Sequence, residues 1–253
     1  DDEWLKYNNS TYVCPMGMYH VVDGQQRLST LAMISIDLHF RLKLLLTKLK
    51  NNYGNSNEFD NLEKVITDYV LKNISEFYSV TFAGSATPNQ KPLILRMNDE
   101  FWQRTGSNLY ESPIARYIAD YIITGKISDY SKHSYGASFN IVQQNQKYIH
   151  ESIDSKLLKT FALQENNQLS ENQKLIYLTT KLFPQTYHND LVLVMDKNQL
   201  DLDTDLVHLL KISLFSLYMS HNCCVNYLEP RTQEWAIEVF QSLNSTGMPL
   251  SSL

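Results

Sequence analysis

Asp23-Gly24-Gln25-Gln26-Arg27 is the stretch of this sequence best suited to chemistry. It lies between a β-rich run, Met18 to Val22, and the longest apolar-periodic segment of the chain. A glycine there permits a tight turn, and the first turn of a helix offers backbone N–H groups and a positive dipole end to an anion. Arg27 adds a planar fork suited to phosphate oxygens. Gln25 and Gln26 are neutral donors and acceptors for a phosphate, a base edge or an attacking water, and Ser29 and Thr30 bring hydroxyls into the same turn. Asp23 would repel phosphate unless it holds Mg²⁺, orients the arginine or serves as a base.

A second constellation closes a helix near the other end. Ala236, Val239, Phe240 and Leu243 make an apolar stripe that stops at Asn244-Ser245-Thr246-Gly247, and Pro249 prevents its continuation. Read locally, it is a capped helix, as Asp-Gly before a helix is a common turn. His188-Asn189-Asp190 has no accompanying metal-ligand spacing, and the adjacent Cys223 and Cys224 beside His221 point to opposite faces of a strand, so no metal site is expected. The chain has no glycine loop ending in Gly-Lys-Ser/Thr, which excludes a P-loop enzyme at the level of motif.

The elements that must position these residues read as mostly helical. Leu28, Leu31, Ile34, Leu38, Leu42, Leu45 and Leu49 recur at helical steps, widened by Met33, Ile36, Phe40 and Leu44, which predicts a long helix buried over more than half its circumference and ending near 51–54. A second helix is predicted over 58–73, with Leu62, Val65, Ile66 and Tyr69 inward. Two strands, 76–82 and 91–97, flank a Gly84 to Asn89 turn. Short helices follow at 99–104 and 113–123, then a loop at 128–136 and helix from 137 to 183 with a break near 165–167. The run 191–195 fits strand or helix, 203–219 helix, 223–228 strand and 231–243 helix. Four to six short strands from distant parts of the chain are therefore expected.

Composition narrows the classes. The 253 residues suffice for one large domain or two small ones, and 43% hydrophobic against 19% charged residues is globular rather than disordered. Twenty-two basic and 27 acidic residues leave a net charge of −5, the wrong sign for a protein that coats nucleic acid. Three cysteines without a C-x-x-C pair favour a reducing compartment, and no apolar run is long enough to cross a membrane. The start at Asp1 and the end at Leu253 read as those of a fragment.

Taken together, the two constellations resemble a known family. Val22 to Leu31 (Val-Asp-Gly-Gln-Gln-Arg-Leu-Ser-Thr-Leu) is similar to the signature of the GmrSD-type restriction-endonuclease N-terminal domain, a family related to the ParB/sulfiredoxin fold. Ala236 to Leu250 is similar to its second signature, in which a phenylalanine, an asparagine and a glycine close a helix. Leu93 to Arg96 followed by Asn98-Asp99 fits loosely between them. The resemblance implies an α+β fold, predominantly helical, with a small mixed ParB/sulfiredoxin-like sheet core. It implies one domain over 1–253, with a helical subdomain at 98–220.

The same resemblance implies that the chain binds and hydrolyses a nucleoside triphosphate, GTP or another, with Mg²⁺. Asp23, Gln25, Gln26 and Arg27 would be catalytic, and Gly24, Ser29, Thr30, Asn244 and Gly247 would complete the nucleotide site. The domain would regulate a nuclease domain or subunit in a modification-dependent, phage-defence system, with DNA engaged by the full-length assembly. A cytoplasmic location and a homodimer are the matching expectations. Two features depart from the family pattern: the upstream Pro-x-Tyr-Gln-Arg segment that supplies an early strand, and the C-terminal His-Asn-His-like nuclease, are both missing from this sequence. The alternatives are a non-enzymatic module that binds DNA or a protein on the same fold, and a scaffold fragment inactive in isolation.

Overall fold

A computed structural model describes residues 24–53, 57–82, 89–94, 110–130, 136–157, 181–187 and 204–223, with Tyr177, Thr179, Trp235 and Glu238 in addition. The long apolar stripe forms α1, Gln25–Tyr53. Its 29 residues make a rod about 43 Å long. Ala32, Met33, Ile36, Leu38, Leu42, Leu46 and Leu49 are buried along it. Leu44 does not widen the stripe as expected: it is 58% exposed. It stands about 200° around the helix from Leu42, on the face of Lys43, Thr47 and Lys48.

The predicted second helix is present but not regular. α2 (Asn57–Val65) and α3 (Lys72–Ser75) are joined by a π-helical turn, Ile66–Leu71. Leu62, Val65 and Ile66 face inward and Tyr69 is half-buried, as the periodicity predicts. The wider turn lets the adjacent Val70 and Leu71 both reach the core.

The strand pair is shorter and differently registered than expected. β1 is Ser79–Phe82 and β2 is Asn89–Pro92, antiparallel, with Ser79 opposite Pro92 and Phe82 opposite Asn89. Residues 76–78 form a turn instead of strand, because the Phe77 and Tyr78 amides donate back to Ile74 and Ser75. The apolar Leu93 and Ile94 lie past the end of β2, although the Leu93 amide still donates to the Tyr78 carbonyl at 2.9 Å. The other strands expected, at 18–22 and 191–195, lie outside the described residues, as do 99–104, most of 231–243 and all of 223–228 except Cys223, which follows the last helix without strand structure. Among the described residues, then, the sheet is this one antiparallel pair beside a predominantly helical body.

α4, Pro113–Thr124, has its ends written in the sequence. The Ser112 hydroxyl accepts from the Ala115 amide, Pro113 occupies the first turn where no N–H is needed, and Gly125 ends the helix at φ +65°. α5 spans Ala137–Ser152 and runs into a second π-helical turn, Ile153–Leu157. α6 is Thr204–Asn222. Helices α3, α4, α5 and α6 all pack against α1, and α6 does so along the greatest length. One apolar cluster takes side chains from every one of these helices, so α1 is the axle of the molecule. Lys48–Asp205 at 2.7 Å and Lys50–Glu63 at 2.8 Å bridge α1 to α6 and α2 at the surface, where water and salt screen them.

Candidate functional site

The head of α1 carries the described part of the Asp-Gly-Gln-Gln-Arg segment. Gly24 has φ +89°, a backbone region that side chains disfavour. Among the described residues, a Cβ built there would meet nothing closer than Arg27 Nε at 4.0 Å, and the backbone conformation itself disfavours any other residue. Its carbonyl accepts the first helical hydrogen bond, from Leu28 N–H at 2.9 Å. The amides of Gln25, Gln26 and Arg27 therefore precede the helical ladder, and their side chains are exposed. No acidic residue sits in the first turn of the helix to offset its positive end.

Ser29 and Thr30 are placed differently from the two glutamines. The Ser29 hydroxyl donates to the Gln25 carbonyl at 2.8 Å and the Thr30 hydroxyl to that of Gln26 at 2.9 Å. Their protons serve the first turn, leaving only oxygen lone pairs for a ligand. Asp23, Asn244 and Gly247 lie outside the described residues. The structure thus brings together Gly24, Gln25, Gln26, Arg27, Ser29 and Thr30 in one turn and a half of helix.

Halfway along the same helix is a buried ionic cluster. The Asp37 side chain is fully buried. Its Oδ2 accepts from Arg41 Nε at 2.6 Å and its Oδ1 from His150 Nδ1 at 2.7 Å. Arg41 spends the rest of its fork on α5 and the π turn: Nη1 donates to Asp154 Oδ1 at 2.5 Å and Nη2 to the His150 carbonyl at 2.8 Å. Burial opposes the Arg41 charge, but the hydrogen bond to Asp154 and the Asp37 carboxylate outweigh it and raise the guanidinium above its ordinary value. The hydrogen bond from Arg41 holds the Asp154 carboxyl below the usual carboxylate range. With each charge met by another, the cluster is built to join helices rather than to bind phosphate.

A tyrosine-rich pocket of the core adjoins it. His39 Nδ1 shares a 2.7 Å hydrogen bond with the Tyr121 hydroxyl, and its ring meets those of Tyr78 and Tyr121 edge-on, each at 5.7 Å. Burial, then the Lys43 charge, pushes His39 down to about 3. Burial drives the Tyr78, Tyr117 and Tyr121 phenols well above their ordinary value. Among the described residues, the Tyr117 hydroxyl is buried without a hydrogen-bond partner.

The description "GmrSD restriction endonuclease, N-terminal domain" matches residues 8–253. The chain belongs to that family. No curated protein and no solved structure gives a significant match. The span takes in both ends of the sequence resemblance, the segment at the head of α1 and the Phe240–Gly247 segment. Among the described residues of this GmrSD N-terminal domain, no three His, Cys, Asp or Glu side chains are arranged so that they could hold a metal ion, and no helix is long and apolar enough to cross a membrane. His221, considered beside the cysteines, instead places Nε2 3.3 Å from the Tyr69 hydroxyl.

Sequence reasoning missed the Asp37–Arg41–His150–Asp154 cluster. The available signals were two i,i+4 pairs of opposite or complementary type, Asp37–Arg41 inside an apolar stripe and His150–Asp154 at a helix end. Neither pair reveals the other, since 113 residues separate Arg41 from Asp154.

Proposed function

We propose that this domain binds a nucleoside triphosphate at the head of α1 and hydrolyses it with Mg²⁺, and that the bound state gates the nuclease of a restriction system. The observation that carries the reading is the left-handed Gly24 at the start of a 29-residue helix, with Gln25, Gln26 and Arg27 exposed around its first turn. A helix start with a guanidinium in its first turn is suited to phosphate oxygens. Arg27 takes the terminal phosphates, one glutamine orients the attacking water, and Asp23 supports the metal or the arginine. Asn244 and Gly247 complete the nucleotide pocket, and Ser29 and Thr30 contribute lone pairs. A small mixed ParB/sulfiredoxin-like sheet core is the fold that goes with this reading. The partner is a nuclease domain or subunit acting on DNA, in the cytoplasm, with a homodimer as the unit that responds to nucleotide.

Membership of the GmrSD family supports the restriction-system setting. The test is thermal denaturation of the full chain with Mg²⁺ and each common nucleoside triphosphate in turn. A ligand at a hundred times its Kd stabilises by about 2.7 kcal/mol, which in a domain of this size raises Tm by roughly 5–10 °C. Arg27→Ala abolishes the shift; Gln26→Ala keeps binding but lowers phosphate release. No shift with any triphosphate defeats the reading.

A further inference from the structure

Helix α5 is anchored to the body in an uneven way. Of its 16 residues only Val142 and Ile149 are buried, joined by Ile153 at the start of the π turn. α6, by contrast, buries Leu206, Leu209, Leu210, Ile212, Leu214, Leu217 and Met219. A helix with so little apolar surface removed from water gains little from packing, so its docking depends on the polar contacts at its two ends.

Those ends differ in kind. At the N-terminal end, the Phe139 ring lies against Tyr130 with centroids 5.2 Å apart, the Arg116 guanidinium stands over the same ring at 5.7 Å, and Gln143 Oε1 accepts the Tyr130 amide at 2.9 Å. This is a compact, mixed aromatic and hydrogen-bonded contact with the segment following α4. At the C-terminal end the attachment is ionic: Asp37 and Arg41 of α1 grip the His150 ring, the His150 carbonyl and Asp154. The His150 carbonyl already accepts from the Ile153 amide that closes the helix, so Arg41 holds α5 at the point where its winding changes to π. Asp154 and the His150 ring are about half exposed, at 52% and 43%, and water can compete for both.

We propose that α5 and its π turn form a hinged arm, pivoting where Phe139 and Gln143 meet Tyr130 and Arg116, and latched to the middle of α1 by Arg41 and Asp37. Release of the latch uncovers Ile149, Ile153 and the Asp37–Arg41 pair together, while the apolar contact of α1 with α6 stays intact. The arm changes the surface that the domain presents without unfolding it, and it stands independently of whether a nucleotide binds at the head of α1.

Hydrogen–deuterium exchange of the full chain, followed peptide by peptide, tests this. In the unaltered protein, amides of 146–157 exchange faster than those of α1 and α6. Asp154→Asn removes one charge-assisted hydrogen bond at a half-exposed position and speeds exchange of 146–157 about tenfold, leaving α1 and α6 unchanged. Phe139→Ala loosens the pivot and extends the faster exchange to 137–145, whereas Lys147→Ala, on the outer face of the same helix, changes nothing. Equal protection of 146–157 and α6 in the unaltered protein overturns the proposal. So does a rise in exchange across α1, α5 and α6 together in Asp154→Asn, because the cluster would then hold up the whole fold rather than one arm.

Discussion

Acid should destabilise this domain through His39 well before its carboxylates are protonated. His39 shares its Nδ1 with the Tyr121 hydroxyl, and its burial, with the Lys43 charge one turn along α1, presses it from 6.5 down to about 3. Between those two values the unfolded chain binds a proton at this residue and the folded chain does not, so stability rises with pH across that window. The contribution is complete above about pH 6.5 and is lost as pH falls toward 3. At pH 5 the unfolded state gains about 2 kcal/mol from protonating this single imidazole, a large share of a stability of about 5–15 kcal/mol. Urea denaturation followed by circular dichroism at pH 7.5, 6.0 and 5.0 measures the loss. His39→Gln keeps a polar group beside Tyr121 but cannot titrate. That variant should be less stable than the parent at pH 7.5, with the gap closing by about 2 kcal/mol at pH 5. If the two proteins lose stability in parallel across this range, the buried neutral imidazole is not the acid-sensitive group and the reasoning is wrong.

Tyr117→Phe removes a buried hydroxyl that has no partner among the described residues, so the variant should be more stable by about 1 kcal/mol, read as a Tm increase of roughly 2–4 °C. A loss of stability would mean that the hydroxyl is satisfied in solution. Gly24→Ala forces a Cβ into φ +89° and should cost about 1–2 kcal/mol in urea denaturation. A neutral result there would show that the head of α1 relaxes out of the left-handed conformation without cost.

Legibility from sequence followed the range of the forces involved. α1 and α4 were readable because their determinants are local: an apolar residue every three or four positions in one, and Ser112, Pro113 and Gly125 at the ends of the other. The strand pair was readable as a pair but not in register, because the apolar run at 93–97 suggested a later strand than the ladder that places Pro92 opposite Ser79. The π turn at Ile66–Leu71 was not readable, since an inserted residue leaves the inward positions Leu62, Val65 and Ile66 where a regular helix would put them. Leu44 shows the converse error: an apolar residue near a stripe was counted into it although the helix turns it to solvent.

At the candidate site the same division holds. Residue order alone determined that Gly24, Gln25, Gln26 and Arg27 gather in a single turn at a helix start, because neighbours along a helix are neighbours in space. It likewise carried enough of the pattern at both ends of the chain to identify the family. Only the tertiary structure decided that Asp37 and Arg41 meet His150 and Asp154, and that His39 lies among Tyr78 and Tyr121. Those contacts join residues tens to more than a hundred positions apart, and they exist because apolar burial draws α4, α5 and α6 onto α1. Charge and hydrogen bonding then select among the polar side chains which the packing has already brought within reach.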